Sequence, residues 1–255
     1  MPLHLVAFAQ SILTSGTFQS INPVPDPTVN IQNPNLLVPD KYNKLVVAAA
    51  LVKANSAGTK AQFQSPSLRE VFFPTIDPVV LGTTFDGIVS FWDQRDEPLP
   101  LATNEGLNFF SDGGGNGTTA QDVYGIAILA DGKVAPAAGV TYTMRATSAA
   151  ALVTKTFVNA PLVFDQNLPV GNYDIIGMRA QGTGLVAARL VFIGASSITR
   201  PGVMAQLGVS SEVVPMFRNG LSGLFGTFYS LTPPSVDCLG DTGTTQQFIF
   251  DLVKR

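Results

Sequence analysis

Residues 44–53 read KLVVAAALVK, a run of eight apolar residues between two lysines. A continuous apolar run of this length is typical of a strand that is buried on both faces. A short buried helix fits the same pattern, because periodicity alone does not separate the two. The stretch therefore predicts a buried strand in a layered β-protein, with a short helix as the alternative.

Short β-prone segments recur on both sides of this run, at the spacing expected of sandwiches and barrels. Residues 171–178 (GNYDIIGM) and 185–193 (LVAARLVFI) flank a turn at 182–184 and predict a β-hairpin. One or two short helices are expected, the clearest candidate being residues 204–217, which end near Pro215. Further strand candidates are 87–92, 123–129, 140–147, 225–231 and 246–253. The fold class is therefore predicted to be mainly β.

The two halves of the chain have similar strand densities, although no exact repeat relates them. We expect two stacked β-sandwiches, the first at residues 41–145 and the second at 146–255. The length of 255 residues also permits a single elaborated sandwich.

Residues 1–40 are interpreted as an N-terminal segment followed by an extended arm, which covers residues 14–40. Five prolines, at positions 23, 25, 27, 34 and 39, are too many for a helix or a central strand. The arm has little core of its own, so it would be ordered only against its own domain or a neighbouring subunit. Pro23, Pro25 and Pro27 are therefore candidate subunit contacts. Removal of residues 1–40 is expected to abolish assembly and to spare the fold of the subunit.

The apolar run near the N-terminus, residues 3–13, is not predicted to be a signal peptide. No lysine or arginine precedes it, and its apolar part before Ala9 is short.

Charged residues make up only 13% of the chain, against about 25% in an ordinary soluble protein. A surface with so few charges has little to keep it soluble in isolation, which favours a subunit that hides much of its surface against copies of itself. The 15 lysines and arginines are scattered. Tight nucleic-acid binding depends on clustered cations, so we expect no such binding here.

Residues suited to catalysis are scarce, and no enzymatic activity, cofactor or metal ion is predicted. The chain has one histidine, His4, and one cysteine, Cys238, which is interpreted as an apolar filler. Asp241-Thr242-Gly243 matches the core tripeptide of aspartic proteases, but it has no second copy and is better explained as a polar turn. Residues 112–117 (DGGGNG) predict a surface loop, although their oxygens could also offer ligands to calcium.

The densest charged cluster is Asp93-Gln94-Arg95-Asp96-Glu97. It fits a solvated loop and fits equally well a salt-bridged contact at a subunit edge, through Asp93, Arg95 and Glu97. Both interpretations stay open from the sequence.

Taken together, the proline-rich arm, the many short strands, the glycine-rich loops and the low charge resemble a viral major capsid (coat) protein of the jelly-roll type. Residues 65–69 (SPSLR) and 217–220 (FRNG) are similar to turns between the strands of such proteins. The resemblance is nearest to tailless, lipid-containing bacteriophages. It implies two jelly rolls per chain, homotrimers that act as pseudo-hexameric capsomers of an icosahedral virion, and synthesis in the host cytoplasm. It also implies minor capsid proteins and an internal membrane as partners.

Two other functions are weighed against a shell subunit. A lectin-like or receptor-binding sandwich of a viral fibre or spike would need exposed aromatic residues, for which the candidates are Trp92, Tyr124, Tyr142, Tyr173 and Tyr229. A hydrolase would need paired carboxylates, such as Asp93 with Glu97 or Asp96, and ranks last.

Overall fold

The computed structural model describes residues 3–13, 17–53, 60–70, 75–76, 79–80, 92–112, 120–132, 141–194, 199–206 and 225–255. These residues are mainly β, as predicted, and their only helical element is a 3-10 turn at Ser67–Glu70. The strands are β1 Leu3–Leu13, β2 Gln19–Ile21, β3 Ile31–Gln32, β4 Asn35–Leu37, β5 Lys44–Lys53, β6 Ala61–Gln64, β7 Thr75–Ile76, β8 Val79–Val80, β9 Trp92–Asp93, β10 Leu99–Pro100, β11 Gly106–Ser111, β12 Ala120–Ala130, β13 Thr141–Ser148, β14 Phe157–Pro161, β15 Val163–Phe164, β16 Asn172–Gln181, β17 Leu185–Val191, β18 Gly202–Gln206, β19 Gly226–Tyr229, β20 Ser235–Gly240 and β21 Gln246–Lys254.

The first sheet has the strand order β1-β12-β5-β10, with β8 and β9 also paired to β5. The predicted strand KLVVAAALVK is β5, and its residues from Leu45 to Val52 are all buried. Alternate residues of this run point to opposite sides, so Ala48 and Ala50 enter one core while Ala49 and Leu51 enter another. The prediction of a strand buried on both faces is therefore confirmed.

The second sheet has the order β3-β4-β11-β6-β7, with β2 paired to β11, and packs on one face of the first sheet. Three aromatic rings fill the space between the two sheets. The ring centre of Phe63 lies 4.8 Å from that of Phe109, and the ring centre of Phe8 in β1 lies 5.8 Å from Phe63 and 6.0 Å from Phe109. Gly125 of β12 faces the same group, and a Cβ atom there would come within 2.6 Å of the Phe109 ring. Glycine at this position allows the ring to lie against the backbone.

The third sheet has nine strands and bends back on itself. One flank has the order β14-β20-β17-β18 and the other β19-β16-β21-β13, and the short parallel pairing of β18 with β16 joins them. The two ends of the main strand path, β14 and β15, are separated in sequence only by Leu162, so the sheet nearly closes like a barrel.

The predicted hairpin between residues 171–178 and 185–193 is wrong. The strands are present as β16 and β17, but β18 lies between them and pairs with both. The turn at 182–184 therefore carries the chain from one flank of the nine-stranded sheet to the other. A turn sequence predicts a change of direction and does not by itself determine which strands pair.

The second face of the first sheet packs against the flank that contains β17 and β20. Leu5 of β1, Ile126 of β12 and Ala187 of β17 belong to one continuous core. Residues Leu185 to Leu190 are all buried, which means that β17, like β5, is covered on both faces. The result is a stack of four layers in which the central strands of the two inner layers, β5 and β17, are buried on both faces.

Residues 17–40 lie on the chain's own sheets, which settles where this segment is ordered. Ala9 of β1 donates its backbone N–H to Asn22 O at 2.9 Å, and Val24 N–H donates to Ala7 O at 2.8 Å. The segment thus covers the edge of β1 that β12 leaves free, and a covered edge does not add foreign strands. The structure argues against the expectation that removal of residues 1–40 spares the fold, because β1 pairs with β12 over eleven residues and contributes to both cores.

Other predicted features fall partly outside the described residues. The helix candidate 204–217 begins as strand β18, and its remaining residues from 207 onward lie outside them, as do residues 113–117 of the glycine-rich loop. The expected division at 145/146 falls within β13, which pairs with β21 along its whole length. Within the described ranges no helix has the length and apolar character needed to cross a membrane.

Candidate functional site

A group of ionisable residues lies between the first sheet and the nine-stranded sheet, and all of them are buried except Asp237, which is half-buried. We call His4, Asp26, Arg189, Arg200 and Asp237 the interlayer cluster. Arg189 of β17 is its centre, with 1% of its surface exposed. Its guanidinium donates to Asp26 through Nη1 and to Asp237 Oδ2 through Nε at 3.1 Å, and its Cζ lies 3.7 Å from the centre of the Phe157 ring. A buried arginine with two carboxylates and an aromatic face is fully compensated.

Asp26 is held in place by its own segment. Thr28 donates to Asp26 Oδ1 twice, from its backbone N–H at 2.8 Å and from its hydroxyl at 2.6 Å. Burial opposes the ionisation of this carboxyl, but Arg189 and Thr28 outweigh it and hold the pKa of Asp26 below its usual value. Asp26 is therefore a carboxylate that fixes the proline segment to β17.

His4 of β1 lies beside Asp26 and is fully buried. Its ring stacks on Tyr42 with 5.1 Å between centres, its Nδ1 accepts the backbone N–H of Arg200 at 3.3 Å, and its Nε2 lies 3.4 Å from Thr28 Oγ1. Burial is the main cause that lowers the pKa of His4 to about 4. The imidazole is thus neutral at pH 7.

Arg200 and Asp237 complete the cluster. Arg200 Nε lies 3.9 Å from Asp237 Oδ2, and Arg200 Nη1 donates to Thr199 O at 3.1 Å. The cluster holds two arginines and two aspartates, so its charges balance while His4 is neutral.

A second polar contact joins Asp122 of β12, in the first sheet, to Lys155 in the loop before β14. Lys155 Nζ lies 2.7 Å from Asp122 Oδ1, and both groups contact the hydroxyl of Ser11 in β1. Lys155 has a backbone φ of 62°, a left-handed conformation that is uncommon for a residue with a side chain. The contact therefore fixes the loop before β14 against the first sheet.

The three predicted contact prolines flank Asp26 of the interlayer cluster in the sequence. Pro23 is buried and forms a β-bridge with Phe8, whereas Pro25 and Pro27 are exposed. The three prolines line an open depression of about 520 Å³. The other residues that line it are Asp26, Val29, Ile31 and Asn33. The lining is mostly apolar.

The predicted contact residues of the acidic loop pair mainly with each other. Arg95 Nη2 lies 2.8 Å from Asp93 Oδ2, and Arg95 Nε donates to both carboxylate oxygens of Asp93 at 2.9 Å. Glu97 and Asp96 are exposed beside this pair. The structure thus brings Asp93 and Arg95 together within one loop, and their role as a subunit contact stays a prediction.

Of the aromatic candidates, Tyr124 and Tyr173 are buried, Trp92 is half-buried, and Tyr142 and Tyr229 are exposed by 38% and 39%. Tyr229 belongs to a surface patch with Val170 and Leu231, which we call the apolar rim. Two hydrogen bonds between Gly171 and Ser230, at 3.0 Å and 3.2 Å, bring the rim residues together. Val170 and Leu231 are exposed by 63% and 70%, which is unusual for such large side chains.

Three of the remaining sequence motifs lie within the described residues and make structural contacts, whereas residues 217–220 lie outside them. Asp241 accepts the Thr154 hydroxyl at 2.8 Å in the turn before β21, and Cys238 is fully buried, which raises its pKa to about 12. In the segment 65–69, the Ser65 and Ser67 hydroxyls donate to Glu105 at 3.0 Å and 2.8 Å. Among the described residues, no three His, Cys, Asp or Glu side chains are grouped to hold a metal ion.

Sequence reasoning missed the interlayer cluster, because Asp26 and Arg189 are separated by 163 residues. One sign of it was present: the segment LVAARLVFI places a single arginine in a run that is otherwise apolar. No protein-family model matches this sequence, and no curated protein is significantly similar to it.

Proposed function

We propose that this chain is a self-assembling capsid subunit built from two jelly rolls. The observation that carries the proposal is strand order. In a jelly roll, eight strands named B to I in chain order form one sheet with the order B-I-D-G and a second with the order C-H-E-F. In the first half, β1-β12-β5-β10 and β4-β11-β6-β7 have these two orders, with β1, β4, β5, β6, β7, β10, β11 and β12 taken as B to I.

The second half repeats the order. With β13, β14, β16, β17, β18, β19, β20 and β21 as B to I, the flank β13-β21-β16-β19 has the order B-I-D-G, and the flank β14-β20-β17-β18 has the order C-H-E-F. Two successive matches to an eight-strand order are a strong constraint on topology. We therefore infer that residues 3–130 and 141–255 are two jelly rolls, stacked through β1, β5 and β12 of the first and β17 and β20 of the second.

Jelly rolls serve viral capsids, lectins and cupins, so the fold alone does not select a function. Low charge and exposed large apolar side chains favour a subunit whose surface is covered by other copies. A trimer of two-roll subunits presents six similar blocks, which suits a pseudo-hexameric capsomer. By resemblance, the proposal extends to the virion of a tailless bacteriophage, assembled after synthesis in the host cytoplasm, with minor capsid proteins and an internal membrane beneath.

The experiment is light scattering on the purified chain, with negative-stain imaging of the same sample. Trimers, rings or shells support the proposal, and a monomer at high concentration contradicts it.

The double variant Val170→Ser with Leu231→Ser tests whether the apolar rim is a contact between copies. The matched control is Val153→Ser, because Val153 is exposed by 54% outside the rim. If the rim variant associates as strongly as the control variant, the contact between copies does not involve the apolar rim.

A glycan-binding module is the second candidate, and the exposure of Tyr142 and Tyr229 favours it. Exposed tyrosines beside polar groups suit sugar recognition. A glycan array probed with the full chain would detect such binding, and Tyr229→Ala should weaken it while Val153→Ala should not. An array without binding leaves the shell subunit as the better account.

A further inference from the structure

The hydrogen bonds around His4 determine where its proton lies. The Arg200 backbone N–H can only donate, so His4 Nδ1 must accept and carries no proton. The ring proton is therefore on Nε2, which faces Thr28 Oγ1. The Thr28 hydroxyl donates onward to the Asp26 carboxylate, which also accepts from Arg189. In this series of hydrogen bonds, every donor faces an acceptor only when the imidazole is neutral.

A second proton on His4 would break the first hydrogen bond of this series, from the Arg200 backbone N–H to His4 Nδ1. Protonated Nδ1 would face the Arg200 N–H, so two donors would point at each other across 3.3 Å. The charged groups of the elements packed around the ring are Asp26, Arg189, Arg200 and Asp237, two cations and two anions. Tyr42 covers one face of the ring, and its hydroxyl bonds to Thr199 Oγ1 at 2.9 Å. A third cation would thus be added to a buried group that is already balanced.

We propose that His4 is an acid-sensitive latch, whose protonation releases the proline segment at residues 22–28 and the chain at 199–201 from β1. The segment is held at this end by the Thr28 and Asp26 contacts and by Val24 N–H to Ala7 O. The chain at 199–201 is held by Leu5 N–H to Arg200 O at 2.8 Å and by Nδ1 of His4. Both connections lie within three residues of His4. The inference is independent of whether the chain forms a shell.

The size of the effect follows from proton linkage. The pKa of His4 is about 4 in the closed form, first because of burial, and Arg189 and Arg200 add to the decrease while Asp26 opposes it. A released imidazole has its usual pKa of 6.5. The open form therefore binds more protons than the closed form between these values, and opening becomes more favourable as the pH falls. The opening equilibrium should rise about tenfold per pH unit, roughly 300-fold in all.

The test is hydrogen exchange on the full chain at pH 7.0, 6.0, 5.0 and 4.5, corrected for the pH dependence of the intrinsic exchange rate. The amides of Leu5, Val24 and Arg200, whose hydrogen bonds hold the two segments to β1, should lose protection as the pH falls, while the amides of β21 keep it. His4→Phe retains a ring to stack on Tyr42 but has no titrating group, so it should remove the pH dependence. Loss of protection that is equal in His4→Phe, or that is uniform over the chain, overturns the proposal.

NMR provides a second readout that does not depend on the variant folding. His4 is the only histidine, so its imidazole resonance is assigned without ambiguity. In the native chain the resonance should titrate together with the opening of residues 22–28. Opening without titration of His4, or titration near 6.5 while 22–28 stays protected, contradicts the latch.

Discussion

The first sheet has two faces that are held by different forces. Toward the second sheet, the contact is apolar and is centred on Phe8, Phe63 and Phe109. Toward the nine-stranded sheet, an apolar layer surrounds the charges of Arg189, Asp26 and Asp237. The aromatic face depends on shape and area, whereas the charged face also depends on the presence of every partner and on pH. Variants on each face should therefore differ in their response to pH and in how they are rescued.

The largest effect is expected when both faces are removed together. Deletion of residues 1–40 takes away β1, which supplies Leu5 to one core and Phe8 to the other. The chain should then fail to fold, as measured by the loss of a cooperative urea transition and of dispersed amide resonances. A folded but non-assembling truncated chain would contradict this prediction and restore the idea of a dispensable arm.

On the charged face, Arg189→Met should destabilise the chain by about 3–5 kcal/mol, because it leaves Asp26 buried without its cation. Urea unfolding at pH 7 measures this. The double variant with Asp26→Leu should recover much of the loss, since it removes the uncompensated charge. If the double variant is as unstable as the sum of the two single variants, the pair is not the source of the effect.

On the aromatic face, Gly125→Ala should cost about 1–3 kcal/mol, because its Cβ would lie 2.6 Å from the Phe109 ring. Adding Phe109→Leu should relieve part of this overlap, and the effect of Gly125→Ala should be the same at pH 7 and pH 5. Urea unfolding at the two pH values decides this. A strong pH dependence would show that the two faces are not separable.

The smallest effect is expected far from both faces. Asp174→Asn removes the ion pair of Asp174 with Arg255, whose side chain is mostly exposed. Exposed pairs of this kind contribute little to stability. The urea midpoint should be unchanged within error, which makes this variant the baseline for the others. A clear shift would mean that charges stabilise the chain generally and not only at the interlayer cluster.

The sequence predicts the apolar face well and the charged face poorly. The run KLVVAAALVK identifies β5 because burial on two sides requires apolar residues at every position. Pairing is less predictable, as the turn at 182–184 shows, because a glycine-rich turn fits a hairpin and a crossing between sheets equally. The single Arg189 in an apolar run indicates a buried charge, but neither it nor the prolines around Asp26 indicates which residue is its partner. The predicted contacts Pro25, Pro27 and Glu97 are exposed and await the assembly experiment.

The strand β5, covered on both faces, has a consequence for synthesis at the ribosome. When residue 130 has been made, one face of the first sheet is complete but the other still lacks β17 and β20, which lie between residues 185 and 240. At about 5–20 residues per second, this apolar face waits roughly 5–20 s for its cover. The nascent chain is most prone to aggregate in that interval. A chaperone or slow translation of residues 131–184 would matter most there.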